Sequence, residues 1–292
     1  MNVTLIEPYG FCGGVRNAIE VARRARNEHP TATIYLIGDL VHNENVISRL
    51  KNDGFFFITG DMDEIAEQLG KLGKGSVICF SAHGHPKKYD QIAKEKGMIA
   101  YDATCPFVKR NEEGIVKAIK NSEKVFYIGK RNHAEAVSAL AIDEENVILV
   151  DDDTDLTKYR DDDVVVFSQT TMSDDEIGKI SERIGANVKK ARYEAKRCFD
   201  ASERQNAIRS FDDDDIDLVV VLGSENSNNS RELYALAKRT YPSAKVYLSL
   251  SVAGLPLEEI KHCKHALLGS GASTQSEVVK EAKDYLESLN SI

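Results

Sequence analysis

Five cysteines stand in this 292-residue chain, at positions 12, 79, 105, 198 and 263. The odd count and the lack of any C-x-x-C pair argue against a secreted disulfide scaffold. They leave thiols for metal binding, catalysis or simple burial. Cys12, Cys105 and Cys198 are spaced by 93 and again by 93 residues. Structural zinc prefers four ligands, and iron–sulfur clusters usually take four cysteines. Three thiolates on a four-iron cluster would leave one iron open, which Lewis-acid catalysis requires. A helical segment follows each of the three, and a helix N-terminus favours a thiolate. Cys79, inside VICF, reads as a small buried hydrophobe. Cys263, in HCKH, reads as part of a surface turn.

Polar loops supply the other candidates. His42, in DLVHN, and His83, in AHGH, both follow β-rich runs and can donate to an anion or act as acids. Ser224–Ser230 precedes the helix-like RELYALAKR, and Ser270-Gly271-Ala272-Ser273-Thr274 is of the same kind. Small hydroxyl and amide donors at a helix start make a neutral anion cradle. The middle of the chain offers His133-Ala134-Glu135 and Gln169-Thr170-Thr171 instead. A carboxyl beside a metal-bound substrate is a candidate proton donor. An anion pocket, an open metal and an acid together suggest reductive or eliminative chemistry on a small phosphorylated substrate.

The elements that must position these residues repeat three times. Cys12 leads into VRNAIEVARRAR, Cys105 into PFVKRNEEGIVKAI and Cys198 into FDASERQNAIRSF. Val15, Ala18, Ile19 and Ala22 recur at helical spacing, and Pro106 suits a first helical position. Next come TIYLIG, KVFYIG and LVVVLG, whose glycines lie 26, 24 and 25 residues past the cysteine. Later runs are VICFSAHGHP, VVVFSQTTMS and HALLGSGASTQ, with FFFITG, NVILVDDD and KVYLSL between. Strands alternating with helices predict an α/β fold of three quasi-equivalent units with parallel sheets. Ligands of such sheets bind beyond the carboxyl ends of the strands, where every polar cluster above falls. A pseudo-threefold arrangement would turn these loops and the three cysteines toward one centre. The acidic runs 151–153, 161–163 and 212–215 read as solvated loops without the turn glycine of a calcium loop.

Composition narrows the partners. The 47 acidic against 38 basic residues give a net charge of −9, with no basic tract for general nucleic-acid binding. No apolar run approaches the ~20 residues of a membrane span. The first residues lack a secretory signal pattern, which predicts a cytoplasmic protein.

The strings GFCGGVRNAIEVA, GDLVHNENV, SAHGH, DATCP, GKRNHAEAV, SQTTMS, GSENSNNS and GSGAST, in that order, resemble the LytB family of 4-hydroxy-3-methylbut-2-enyl diphosphate reductases. The resemblance covers nearly the whole chain. It implies a trefoil of three α/β domains around a [4Fe-4S] cluster with one open iron. The implied domains are 13–104, 105–197, and 1–12 together with 198–292. The implied reaction is the last step of the non-mevalonate isoprenoid pathway, a two-electron reductive dehydroxylation fed by a ferredoxin- or flavodoxin-type donor. By motif, Cys12, Cys105 and Cys198 would be the cluster ligands. His42, His83, Ser227, Asn228, Asn229 and Ser273 would bind the diphosphate. Glu135 would deliver the proton, with Thr170 orienting the substrate hydroxyl and His133 beside it.

Some positions depart from the family pattern. Arg16-Asn17-Ala18 reverses the usual order, and the usual HPE is His133-Ala134-Glu135. Phe199-Asp200-Ala201-Ser202 follows the third cysteine, Asn228 replaces a serine, and Gln275 replaces a proline. Two alternatives follow: a divergent paralogue acting on another phosphorylated allylic alcohol, and a non-catalytic iron–sulfur redox sensor. A sensor would have no need of Glu135.

Overall fold

The computed structural model describes residues 1–194, 198–211 and 215–289. Most of the acidic run at 212–215 lies outside the described residues. In chain order the elements begin with β1 (Asn2–Leu5), α1 (Gly13–Glu28), β2 (Ile34–Ile37), α2 (Glu44–Asn52), β3 (Phe55–Ile58), α3 (Met62–Gly70), β4 (Val77–Phe80), α4 (Lys87–Lys96) and β5 (Ile99–Asp102). There follow α5 (Pro106–Lys120), β6 (Lys124–Ile128), α6 (Ala134–Leu140), β7 (Val147–Val150), β8 (Asp163–Ser168), α7 (Asp174–Asn187) and β9 (Lys190–Tyr193). The last are α8 (Phe199–Ser210), β10 (Leu218–Leu222), α9 (Asn228–Thr240), β11 (Lys245–Ser249), α10 (Leu257–Ile260), β12 (His265–Ser270) and α11 (Ser276–Ser288).

The strands form three four-stranded sheets with orders β3-β2-β4-β5, β7-β6-β8-β9 and β11-β10-β12-β1. All nine pairings are parallel, and the three orders share one topology. The α/β class and the parallel sheets are therefore as the alternating runs predict. The central strands β4, β8 and β10 are buried almost throughout. Helices on both faces of a parallel sheet require such near-continuous apolar runs. Around β10 and β12, Leu218, Val220, Leu222 and Leu268 pack on one face, and Val219, Val221 and Leu267 on the other. At roughly 1.5–3 kcal/mol for each fully buried aliphatic side chain, these strands anchor their sheet.

By compactness the chain divides into two units. One comprises 1–15, 42–46 and 198–292, and the other 16–41 and 47–197. The first holds the sheet that contains β1, and the second holds the other two sheets.

Three strands escape the sequence reading: β1, β5 and β9. Each is a sheet edge, and each precedes one of the repeated cysteines. Asp163 opens β8 and so does not belong to a loop. Cys263 lies in a turn, but its side chain is 6% exposed and packs with Ile260 and Leu268, which corrects the surface reading.

Candidate active site

Each of the six central strands runs into a loop that carries a candidate residue. His42 follows β2, His83 follows β4, His133 follows β6 and Thr170 follows β8; Ser227 follows β10 and Ser273 follows β12. The carboxyl ends of parallel strands thus deliver the polar groups, as the topology demands.

In the second unit the acid is well defined. His133 is the N-cap of α6, and the Glu135 backbone N–H donates to its Nδ1 at 3.2 Å. A ring nitrogen that accepts such a bond carries no proton. The His83 ring stands edge-on to His133, with centroids 5.7 Å apart. Glu135 is 3% exposed. Its Oε1 accepts the Thr170 N–H at 2.6 Å, and its Oε2 accepts the Thr170 hydroxyl at 3.1 Å. Burial pushes its carboxyl up to about 7. The Thr170 bonds and the Tyr127 hydroxyl oppose that rise, and nearby Glu112 adds to it. Half-protonation near neutrality suits a general acid. Gln169 braces the loop: its N–H donates to Ile128 O, and its Oε1 accepts from Lys130 N–H. The structure thus joins His83, His133, Glu135 and Thr170.

Cys105 is the N-cap of α5, with Pro106 in the first turn. Its backbone N–H donates to Ala82 O at 2.9 Å, which ties it to the loop of His83. Burial pushes the Cys105 thiol up, and the Phe107 and Val108 N–H groups only partly offset this. The helix-start donors do favour the Cys105 thiolate, but desolvation outweighs them.

In the first unit two cysteines are placed in the same way. Cys12 directly precedes α1, and its Sγ accepts the Val15 N–H at 3.3 Å. Its own N–H donates to Ala272 O at 2.9 Å, beside Ser273. Cys198 is the N-cap of α8. All three thiols are partly exposed, and no disulfide joins them among the described residues. Cys12, Cys105 and Cys198 are each a part-exposed sulfur at a helix start, and Cys12 and Cys105 accept backbone N–H groups, chemistry that fits soft iron–sulfur ligation. Among the described residues, no three or more His, Cys, Asp or Glu side chains are clustered as a ready-made metal site.

The anion-type loops of this unit are also joined. Ser273 Oγ donates to His42 O at 2.9 Å, and Asn43 Nδ2 donates to Ser273 O at 2.8 Å. Ser227 is the N-cap of α9 and accepts the Ser230 N–H. Asn228 and Asn229 fill the first turn, both buried. Asn229 is 4% exposed, and among the described residues neither its carboxamide oxygen nor its nitrogen has a partner. Buried amides normally find partners. An open donor at a helix start is what an anion would use. Tyr127, Glu112 and Asn43 escape sequence reasoning, because each acts through a partner far along the chain or in the next loop.

An α/β chain with thiols at three helix starts and polar loops at six strand ends has the layout of an α/β enzyme whose functional groups stand at the carboxyl ends of its strands. Residues 3–287 match the family described as LytB protein, and the chain belongs to that family. It is 34% identical over 293 residues to a 4-hydroxy-3-methylbut-2-enyl diphosphate reductase of Bacillus cereus (strain B4264), covering 99% of this chain and 91% of that protein. A protein of the same name from Shouchella clausii (strain KSM-K16) is 33% identical, covering 99% and 92%. A solved structure of the E-1-hydroxy-2-methyl-but-2-enyl-4-diphosphate reductase from Plasmodium falciparum matches with a TM-score of 0.84 at 24% identity, over 97% of this chain and 87% of that one. A structure of (E)-4-hydroxy-3-methyl-but-2-enyl diphosphate reductase, the terminal enzyme of the non-mevalonate pathway, matches with a TM-score of 0.69 at 25% identity, over 98% and 99%. No helix is long and apolar enough to cross a membrane among the described residues.

Proposed function

We propose that this chain reduces 4-hydroxy-3-methylbut-2-enyl diphosphate to isopentenyl and dimethylallyl diphosphate, the terminal step of the non-mevalonate pathway. Two electrons and two protons enter, the allylic C–O bond breaks, and the oxygen leaves as water. The observation that carries this reading is Glu135: a buried carboxyl poised near neutrality and clamped by Thr170, in a chain that matches reductases along its length.

Cys12, Cys105 and Cys198 would hold a [4Fe-4S] cluster, leaving one iron without a protein ligand. When bound, the cluster supplies the electrons and a Lewis-acidic position. A ferredoxin- or flavodoxin-type protein recharges it. His42, His83, Ser227, Asn228, Asn229 and Ser273 hold the diphosphate. Asn229 turns its amide hydrogens to a phosphate oxygen, which supplies the partner it lacks. Ser273 must rotate its hydrogen away from His42 O to donate to the anion. Thr170 orients the substrate hydroxyl, and Glu135 hands over the proton that lets oxygen leave as water. Burial of Glu135 excludes bulk water from that proton. His133 fixes the first turn on which Glu135 stands.

The test is an anaerobic preparation assayed with a chemical reductant and the hydroxylated diphosphate. The expected result is turnover to both products. A cluster-loaded protein that binds the diphosphate without turning it over would overturn the reading.

A further inference from the structure

Six residues past Cys105 stands Asn111, and six past Cys198 stands Arg204. Both are buried polar side chains, each 2% exposed, on the helix that the cysteine starts. Asn111 Nδ2 donates to Ser168 O at 3.0 Å, and Arg204 Nη1 donates to Ser270 O at 2.9 Å. Ser168 ends β8 and Ser270 ends β12, so the two acceptors are equivalent positions of equivalent strands. Thr170 lies two residues past one acceptor, and Ser273 three residues past the other. We propose that Asn111 and Arg204 are equivalent positioning residues, each fastening a cysteine-bearing helix to the strand end whose loop holds the substrate.

Arg204 does more than its counterpart. Its Nη2 also donates to Gly10 O at 2.9 Å, two residues before Cys12. Its Nε and Nη2 reach the two Asp200 oxygens at 2.6 and 3.2 Å. One guanidinium thus fixes the approach to Cys12, the helix of Cys198 and the loop of Ser273. The first repeat has Ala18 at the matching place, with no side chain to donate, and Arg204 reaches the Cys12 loop from α8 instead. Gly10 itself has φ +82, and a Cβ there would run into Ser276. That loop tolerates little displacement. A buried ion pair is a poor source of stability compared with packed apolar groups. The rigid fork of donors instead supplies geometry that lysine cannot reproduce. Asp200, a departure from the family pattern, acquires a role as the counter-ion of this fork.

The proposal rests on the reductase reading for its kinetic test. Asn111→Ala should lower kcat at least tenfold with KM within threefold, because its strand end carries Thr170. Arg204→Lys should raise KM for the diphosphate at least tenfold with kcat within threefold. It should also speed chelator bleaching of the cluster at least fivefold. Asp200→Asn, which keeps the core volume, should shift the same quantities in the same direction and serves if Arg204→Lys fails to fold. Proportional loss of kcat and KM effects in both helices, or values within twofold of wild type, would overturn the proposal. Hydrogen exchange at residues 9–12 and 270–274 needs no reaction. Tenfold faster exchange there in the Arg204 or Asp200 variant, with β6 and β8 unchanged, supports the fastening even if the wild-type chain shows no turnover. Unchanged exchange sinks it.

Discussion

In the proposed reaction Glu135 meets three demands that conflict in water: protonation near neutrality, one fixed orientation and exclusion of solvent. Burial raises its carboxyl to about 7, while the Thr170 donors keep it from rising further. Glu135→Gln keeps shape and removes the acid. It should leave the cluster intact and lower kcat by about 10²–10⁴-fold, measured anaerobically under saturating reductant. The same shift predicts a stability effect. The folded state holds this proton more tightly than the unfolded chain, whose carboxyl titrates near 4.5. Stabilisation is complete below that value and is lost as pH rises through about 7. At pH 8 the wild type should therefore carry a penalty on the order of 3 kcal/mol that Glu135→Gln lacks. Denaturant titrations of both proteins should show a small difference at pH 5 and the larger one at pH 8. Glu112 pushes Glu135 up, is itself raised by burial, and accepts the Ser138 hydroxyl at 2.6 Å. His85 and Lys87 pull Glu112 down, and Asp102 opposes them. Glu112→Gln removes a negative neighbour and should move the alkaline fall of kcat to lower pH. An unshifted profile would mean that the acid titrates independently of Glu112.

Elements translate these residues into positions, and they were unevenly legible. The central strands announce themselves as apolar runs ending in small residues, because both faces of a parallel sheet are covered. The edge strands NVTL, IAYD and KARY mix exposed and buried residues over four positions, too short a stretch to show a period. Cys105 and Ser227 were legible as helix-start residues from Pro106 and from the Ser/Asn run. Arg204 was not, because its carbonyl partners lie 66 and 194 residues away. Likewise the partner of Asn111 is 57 residues away. The cysteines test the repeat directly. Cys12→Ser, Cys105→Ser and Cys198→Ser should each lose most of the cluster's visible absorbance, whereas buried Cys79→Ser and Cys263→Ser should retain it. Retention in any of the first three would remove that residue from the ligand set. Ser227→Ala removes a cap bond to Ser230, with an expected cost of about 1 kcal/mol in stability. As a phosphate contact it should also weaken diphosphate binding by about 1.5–3 kcal/mol. A thermal shift without a change in KM would leave Ser227 as a cap alone.

At the scale of the molecule, chain order and sheet order disagree in one place, and that place can be tested. β1 opens the chain yet pairs with β12 near its end, from Asn2 with His265 to Leu5 with Leu268. The unit that contains it is assembled from 1–15, 42–46 and 198–292, whereas most of the other unit is the continuous stretch 47–197. Met1, Val3 and Ile6 are buried in the first unit. At roughly 1.5–3 kcal/mol each, their loss approaches the ~5–15 kcal/mol that holds a typical domain. Deleting residues 1–6 should therefore unfold this unit first, because β12 would be left as an uncovered edge and Gly10 and Cys12 would lose their approach. Hydrogen-exchange mass spectrometry should then show fast exchange in β10, β11, β12, α9 and α11. Protection should persist in β2, β4, β6 and β8, whose partners lie wholly in the second unit. Pyrophosphate binding should fall with the Ser227, Asn229 and Ser273 loops. The Glu135–Thr170 pair, buried in the unit that survives, should keep its protection. Uniform loss of protection throughout the chain would instead mean that the two units fold as one cooperative body.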